Sequence, residues 1–405
     1  MRMLAKTLTF IKNYDKMYSS HKHGGFDMDY SQKLRYHYRP QNGWINDPNG
    51  LVYFNGYYHV FYQHSPDFET PWKQPMHWGH ARTKDFLTWE ELPIALTPDT
   101  EYDKDGCWSG TATVKDGVLY LIYASIRGYN KQQQQNSPPC EYDGEQKQTV
   151  SVAYSKDGIH FKKYEKNPVI AHYPPEGSLD FRDPAVCFSN GAYYCVMASG
   201  NPDDRAARLL LYKSEDLFDW EYLGIMSEWA EGRWAECPSF ISNENNFLLT
   251  VSVQPLGSSH YFQVIYGDFK DGKFIPKASA TPDKGPDQYA GQTFRDHLGR
   301  NILIAWTPGW SYKGYAEKDI GHMSIPRELK LEDGKITAYP IKEFQHLLKD
   351  QDDSVKRTEN GFIIERTGRS PVIYEGDIND LKILRDGYLA EVFVNGGEEV
   401  YTVLL

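Results

Sequence analysis

Two kinds of turn alternate along this chain, and their fixed order is the strongest constraint on its fold. The first kind opens a hydrophobic, aromatic-rich strand. It occurs in NGYYHVFYQ (55–63), DGVLYLIYAS (116–125), NGAYYCVMAS (190–199), NNFLLTVSV (245–253) and GRNILIAW (299–306). The second kind closes a later strand with an acidic turn and an aromatic: ARTKDFLTW (81–89), AYSKDGIHF (153–161), LYKSEDLFDW (211–220) and IYGDFKDGKF (265–274). A looser fifth copy is GHMSIPREL (321–329). The turn residues Gly56, Gly117, Gly191, Asn246 and Gly299 stand 53 to 74 residues apart. A repeat of that period, all strand and turn, predicts an all-β chain: a five-bladed β-propeller. A pair of β-sandwiches with coincidental hairpins is the alternative, and the shared order of the two turns weighs against it. After residue 345 only 60 residues remain, too few for two full sheets with their own core. The expected division is an N-terminal extension (1–34), the propeller (35–345) and a shortened C-terminal β-sandwich-like module (346–405) leaning on it. A module that short would leave an apolar face for pairing with a second chain.

The repeat also places side chains. Residues eight to ten positions before each inner turn should open the innermost strands around one mouth of the central channel. Those windows hold Asn46–Pro48, Cys107–Ser109, Asp183, Glu236 and Tyr289–Gly291. Three of the five contain an acid. Like charges raise one another's pKa in a partly dry channel, so their convergence points to a functional site. Connections 63–77, 126–149, 200–208, 254–260 and 307–320 fall on the same face and should wall the pocket.

Paired carboxyl groups across a channel suit glycoside hydrolysis: one donates a proton to the leaving oxygen, and the other attacks the anomeric carbon or directs a water. A third carboxylate can hold sugar hydroxyls. Arg182, adjacent to Asp183, is expected to keep that carboxylate ionised. Trp234, Cys237 and Pro238 offer Glu236 an apolar setting that would raise its pKa, as suits a general acid.

WINDPNG (44–50), FRDP (181–184) and the Glu-Cys of AECP (235–238), in this order, resemble the three signatures of glycoside hydrolase family 32, the invertase, sucrose-6-phosphate hydrolase, inulinase and levanase group. The resemblance spans residues 35–345, with an echo at EVFVNGGEEVYT (391–402). It implies a five-bladed propeller with a C-terminal β-sandwich and a retaining β-fructofuranosidase activity on sucrose or short fructo-oligosaccharides. It implies that Asp47 is the nucleophile, Glu236 the acid/base and Asp183 the transition-state stabiliser. Further sugar contacts implied at matching positions are Asn46, Gln63, Trp72, Trp108, Ser109, Arg182, Tyr289 and Trp306; core packing is the other reading of Trp306. The chain departs from the pattern at Ser239, where an acid is usual, and at Trp108, where Phe is usual. Both are expected to reshape the outer subsite. No Lys/Arg cluster forms an evident phosphate site, with Arg205, Arg208 and Lys313 the candidates on the right face.

Composition narrows the remainder. The net charge is −11, which argues against nucleic acid. No apolar run approaches the ~20 residues of a membrane span. The start reads without a signal peptide. The five cysteines are odd in number with no C-x-x-C, so reduced thiols in a cytoplasm are expected. No cofactor or metal is expected, because paired carboxylates suffice for hydrolysis.

Overall fold

A computed structural model of the chain describes residues 34–67, 75–128, 147–200, 206–230, 232–243, 246–255, 259–310 and 321–405. These residues are almost wholly strand, and their α-helix is one turn, Lys342–Gln345. The first sheet holds β1 (Trp44–Phe54), β2 (Tyr57–Ser65), β3 (His77–Thr83) and β4 (Trp89–Leu96). The second holds β5 (Gly106–Lys115), β6 (Val118–Arg127), β7 (Lys147–Ser155) and β8 (Lys162–Lys163). The third holds β9 (Phe181–Ser189), β10 (Ala192–Gly200), β11 (Ala207–Ser214) and β12 (Glu221–Trp229). The fourth holds β13 (Gly232–Ser242), β14 (Phe247–Pro255), β15 (Tyr261–Lys270) and β16 (Lys273–Ala280). The fifth holds β17 (Tyr289–Arg295), β18 (Asn301–Thr307), a short β19 (His322–Met323), β20 (Arg327–Glu332) and β21 (Lys335–Pro340). Each sheet is an open antiparallel meander in chain order. The first strands are neighbours in cyclic order: β1 lies against β5, β5 against β9, β9 against β13, β13 against β17, and β17 against β1.

The turns explain the repeat. Asn55-Gly56, Asp116-Gly117 and Asn190-Gly191 all have positive φ at both residues. That is the two-residue hairpin turn whose twist matches its strands. The second kind of turn is a side-chain cap. The Thr83 hydroxyl accepts from the Phe86 amide, and Asp85 Oδ1 accepts from Leu87 and Thr88. Ser155 with Asp157 repeats this between β7 and β8, and Ser214 with Asp216 between β11 and β12. Ser, Thr and Asp at these spacings bond to nearby backbone amides and so stop the strand.

The register slips in every first strand at one common level, and β1 and β13 each slip once more. The extra residues at the common level are Asn46-Asp47 in β1, Ser109 in β5, Asp183-Pro184 in β9, Cys237-Pro238 in β13 and Ala290-Gly291 in β17. Asp183, Cys237 and Ala290 have φ near +50°. A bulge re-aims the side chains beside it. Two of the five contain a proline, Pro184 and Pro238, and Pro48 adjoins a third; proline cannot donate to a sheet ladder and so settles at such irregularities.

The C-terminal residues form two three-stranded sheets, β22 (Val355–Thr358), β23 (Gly361–Arg366) and β24 (Arg369–Glu375), then β25 (Leu381–Asp386), β26 (Leu389–Val394) and β27 (Glu399–Leu404). Ile383, Val392 and Val394 pack on Phe362, Ile364 and Tyr374. Leu384, Phe393 and Val400 pack the other way, on Met323, Ile325, Leu329 and Ala338. All six residues of β26 are therefore buried. The bare apolar face expected of a shortened module is covered, because the inner sheet is the middle of three layers. Ile373 is the module's exposed large apolar side chain among the described residues.

Charge also crosses this contact. His37 bonds Asp386 at 2.9 Å and Glu391 at 3.0 Å. Arg327 reaches Glu391 at 2.7 Å and Asp283 at 2.6 Å. Burial would lower the His37 pKa, but the two carboxylates overcome it and raise it to about 9.

Candidate active site

The bulges turn three acids toward one another from three sheets. Asp47 comes from β1, Asp183 from β9 and Glu236 from β13. Cys237 ties the first two together. Its amide donates to Asp183 Oδ2 at 2.9 Å, and its thiol lies 3.5 Å from Asp47 Oδ2. Burial and the surrounding carboxylates push that thiol far up, so it remains S–H and donates. Ser109 Oγ also donates to Asp47 Oδ2, at 2.9 Å. Burial raises the Asp47 pKa, against hydrogen bonds from Asn46, Ser109 and Cys237, with the Glu236 charge adding to the rise.

Arg182 behaves differently from the expectation. Its Nη2 donates to Glu236 Oε1 at 2.7 Å, its Nη1 meets Asp180, and its Nε is 3.9 Å from Asp183. Burial, with help from Glu236 and Asp47, outweighs Arg182 and moves the Asp183 pKa up to about 7. The adjacent guanidinium does not hold Asp183 in the ordinary carboxylate range, because it spends its best hydrogen bonds elsewhere.

Glu236 also departs from the expectation of apolar surroundings. Its Oε2 accepts from Tyr289 Oη at 2.5 Å and Gln254 Nε2 at 3.2 Å. Tyr289 is buried and serves the carboxyl group directly. Gln254 gave no signal in the sequence beyond lying on a connection expected to face the pocket. Cys237 was legible as part of the Glu-Cys signature and as an apolar neighbour of Glu236, but not as a donor to Asp183 and Asp47.

The remaining expected positions divide into wall and support. Trp108 is half-buried beside the site, and its carbonyl accepts from Trp78 Nε1 at 3.0 Å. Asn46 Oδ1 accepts from Trp44 Nε1 at 3.0 Å, and Gln63 Nε2 donates to the Cys107 carbonyl at 3.1 Å. Both are buried and brace the first strands. Trp306 is 0% exposed, packed edge-on to Trp44 and Trp310; the core reading of this residue is the one seen. Trp72 lies outside the described residues. Parts of all five walling connections do too, including residues 129–146 and 311–320.

Ser239 does not line the outer subsite. It lies beyond the bulge, accepts from the Thr293 amide at 2.9 Å, and borders a cavity of about 350 Å³ at the far end of the first strands, with Thr111, Phe240 and Arg295. Arg208 is engaged as well: its Nε pairs with Glu228, and its Nη1 donates to the Glu176 carbonyl. Arg205 and Lys313 lie outside the described residues. His80 is buried against His59 at 2.9 Å and stacks on Phe61, a structural role.

The family profile "Glycosyl hydrolases family 32 N-terminal domain" matches residues 37–340. The chain belongs to glycoside hydrolase family 32. Family 32 relatives include a sucrose-6-phosphate hydrolase of Zymomonas mobilis, 38% identical over 77% of this chain and 62% of that protein. A raffinose invertase of Escherichia coli is 36% identical over 77% of this chain and 65% of its own length. The chain thus spans a little under two thirds of these curated relatives. Among solved family 32 structures, a β-fructofuranosidase from Bombyx mori, in complex with sucrose, is 28% identical with a TM-score of 0.77, covering 93% of this chain and 90% of that one. A sucrose-6-phosphate hydrolase from Lactobacillus gasseri shares the fold at 23% identity and a TM-score of 0.78, over 93% and 88% of the two chains.

Proposed function

We propose that this family 32 protein is a retaining β-fructofuranosidase that releases fructose from terminal β-D-fructofuranosides, sucrose or short fructo-oligosaccharides. The observation that carries this reading is the linked set Asp47–Cys237–Asp183 with Arg182–Glu236, delivered from three sheets by their first strands. Asp47 is the proposed nucleophile: its Oδ2 receives the Ser109 and Cys237 donors. It attacks the anomeric carbon while Glu236 protonates the leaving oxygen. Water, deprotonated by Glu236, then hydrolyses the fructosyl-aspartate. Asp183, buried and fixed by the Cys237 amide, is proposed to hold fructose hydroxyls. The five meanders with cyclically adjacent first strands support a five-bladed propeller over 35–345 and a reduced sandwich over 346–405.

A sugar-release panel of sucrose, sucrose 6-phosphate, kestose, inulin and levan tests the reading. Wild type should liberate fructose, and Asp47→Asn and Glu236→Gln should lose at least 10³-fold in kcat, on the order of ~4 kcal/mol in barrier. Binding of these sugars by a wild type that releases no fructose would leave only a fructoside-binding protein. Release of arabinose instead would reassign the substrate.

A further inference from the structure

The two oxygens of Glu236 have chemically different partners. Oε1 faces Arg182 Nη2 at 2.7 Å. A guanidinium donates only and stays charged at any working pH, so a proton on Oε1 would point at another N–H. Oε2 faces Tyr289 Oη at 2.5 Å and Gln254 Nε2 at 3.2 Å. Both partners are neutral, and both can reverse polarity. A hydroxyl donates or accepts as it rotates, and a carboxamide offers N–H or C=O after a half-turn about its last torsion.

The backbone sets this clamp from two sides. Gln254 is the penultimate residue of β14, opposite Trp234 in the register, while Glu236 pairs with Ser252. Its side chain therefore reaches one step along the same sheet. Tyr289 arrives from β17 of the next sheet. The other ionisable groups acting on Glu236 are Asp47 from β1, Arg182 and Asp183 from β9, Cys237 from its own strand, and His260 ahead of β15. Among these contacts, Gln254 and Tyr289 are the neutral side chains seated on Oε2.

We propose that Gln254 is a positioning residue for proton transfer, holding Glu236 Oε2 in both protonation states so that Oε2, and never Oε1, carries the transferable proton. The inference rests on the proposed fructosidase reading and deepens it. In the first step the Oε2 proton passes to the glycosidic oxygen as its bond to the anomeric carbon breaks and the bond to Asp47 forms. In the second, Oε2 takes a proton from the attacking water as the Asp47 ester bond breaks. Gln254 and Tyr289 donate to Oε2 while it is anionic. While it is protonated, one of them turns its oxygen toward the site.

The test compares wild type, Gln254→Met and Gln254→Glu on sucrose and on an aryl β-fructofuranoside whose nitrophenolate leaves without a proton. Methionine keeps the length and removes the donor, so the alkaline limb of the kcat/KM profile should move up by about one pH unit. Glutamate sets a second carboxyl beside the first and should move it further. With Gln254→Met, kcat on sucrose should fall about tenfold and kcat on the aryl fructoside less than twofold, a split that a merely structural loss would not produce. Profiles superimposed on wild type, or equal losses on both substrates, would overturn the role of Gln254 and leave the fructosidase reading standing. A wild type inactive on both substrates would overturn that reading, and this one with it.

Discussion

Replacing Asp183 with Asn should stabilise the protein above neutral pH while abolishing its activity. The Asp183 carboxyl is buried and its pKa stands at about 7 in the fold, raised from its ordinary 3.8, so the folded state favours the protonated form. For a raised pKa the stabilising contribution is complete below the unfolded value and is lost as pH rises through the folded one. At pH 8 the wild type therefore holds an ionised group in a site that disfavours it. The shift is about 3 units, and at ~1.36 kcal/mol per unit the penalty is on the order of 4 kcal/mol. Asparagine carries no charge, and its carbonyl can still accept from the Cys237 amide, now 2.9 Å from Oδ2. Arg182 keeps Glu236 and Asp180. With ~2.1 cal/mol/K per residue over the whole chain, the gain corresponds to about 5 °C in Tm. The assay is thermal unfolding of both proteins from pH 3.5 to 8.5. The Tm difference should be near zero below pH 4, grow through pH 5 to 7 and level off above it. A difference that stays flat with pH, or an Asn variant less stable at pH 8, would refute the burial argument.

Three other outcomes follow from the same geometry. Ser109→Ala removes a 2.9 Å donor to Asp47; the acid limb of kcat/KM should move up and activity fall roughly 10- to 100-fold, the size of one charge-assisted hydrogen bond, read from a pH–rate profile. Burial first, then the Arg82 charge, lowers the His59 pKa to about 4. Its contribution is thus complete above pH 6.5 and is lost as pH falls through 4, so His59→Gln should flatten the acid decline of Tm in that window. His37, raised to about 9, has the opposite sign: its contribution is complete below pH 6.5 and is lost as pH rises through 9. The Tm deficit of His37→Asn should shrink over that interval in the same melts.

The fold was legible because its turns are local chemistry. Asn55-Gly56 and Asp116-Gly117 need positive φ, and Thr83 with Asp85 caps its own turn, so neighbouring residues carry the whole signal. The phase of the acids was legible for the same reason, since a strand of known start and length has a countable mouth. The bulges were half-legible: Pro48, Pro184 and Pro238 mark three of them, but nothing in the order of residues says that five strands slip at one level. Ser239 was expected at the outer subsite from its place after the Glu-Cys-Pro signature, but it is the first residue past the β13 bulge and turns toward Thr293.

The sequence by itself thus determined the strand-and-turn repeat, the three carboxylates and the family. Only the tertiary structure decided what each carboxylate experiences. Arg182 is next to Asp183 in the chain yet makes its 2.7 Å bond to Glu236. Tyr289 and Gln254 reach the same oxygen from 53 and 18 residues away. It also decided that the inner sheet of the C-terminal module is covered on both faces. Hydrogen bonding, desolvation and charge coupling fall off over a few ångströms in space, whatever the separation along the chain. That is why a pattern of residues can announce an active site and still leave its pKa values, its clamp and its walls to the packing of sheets.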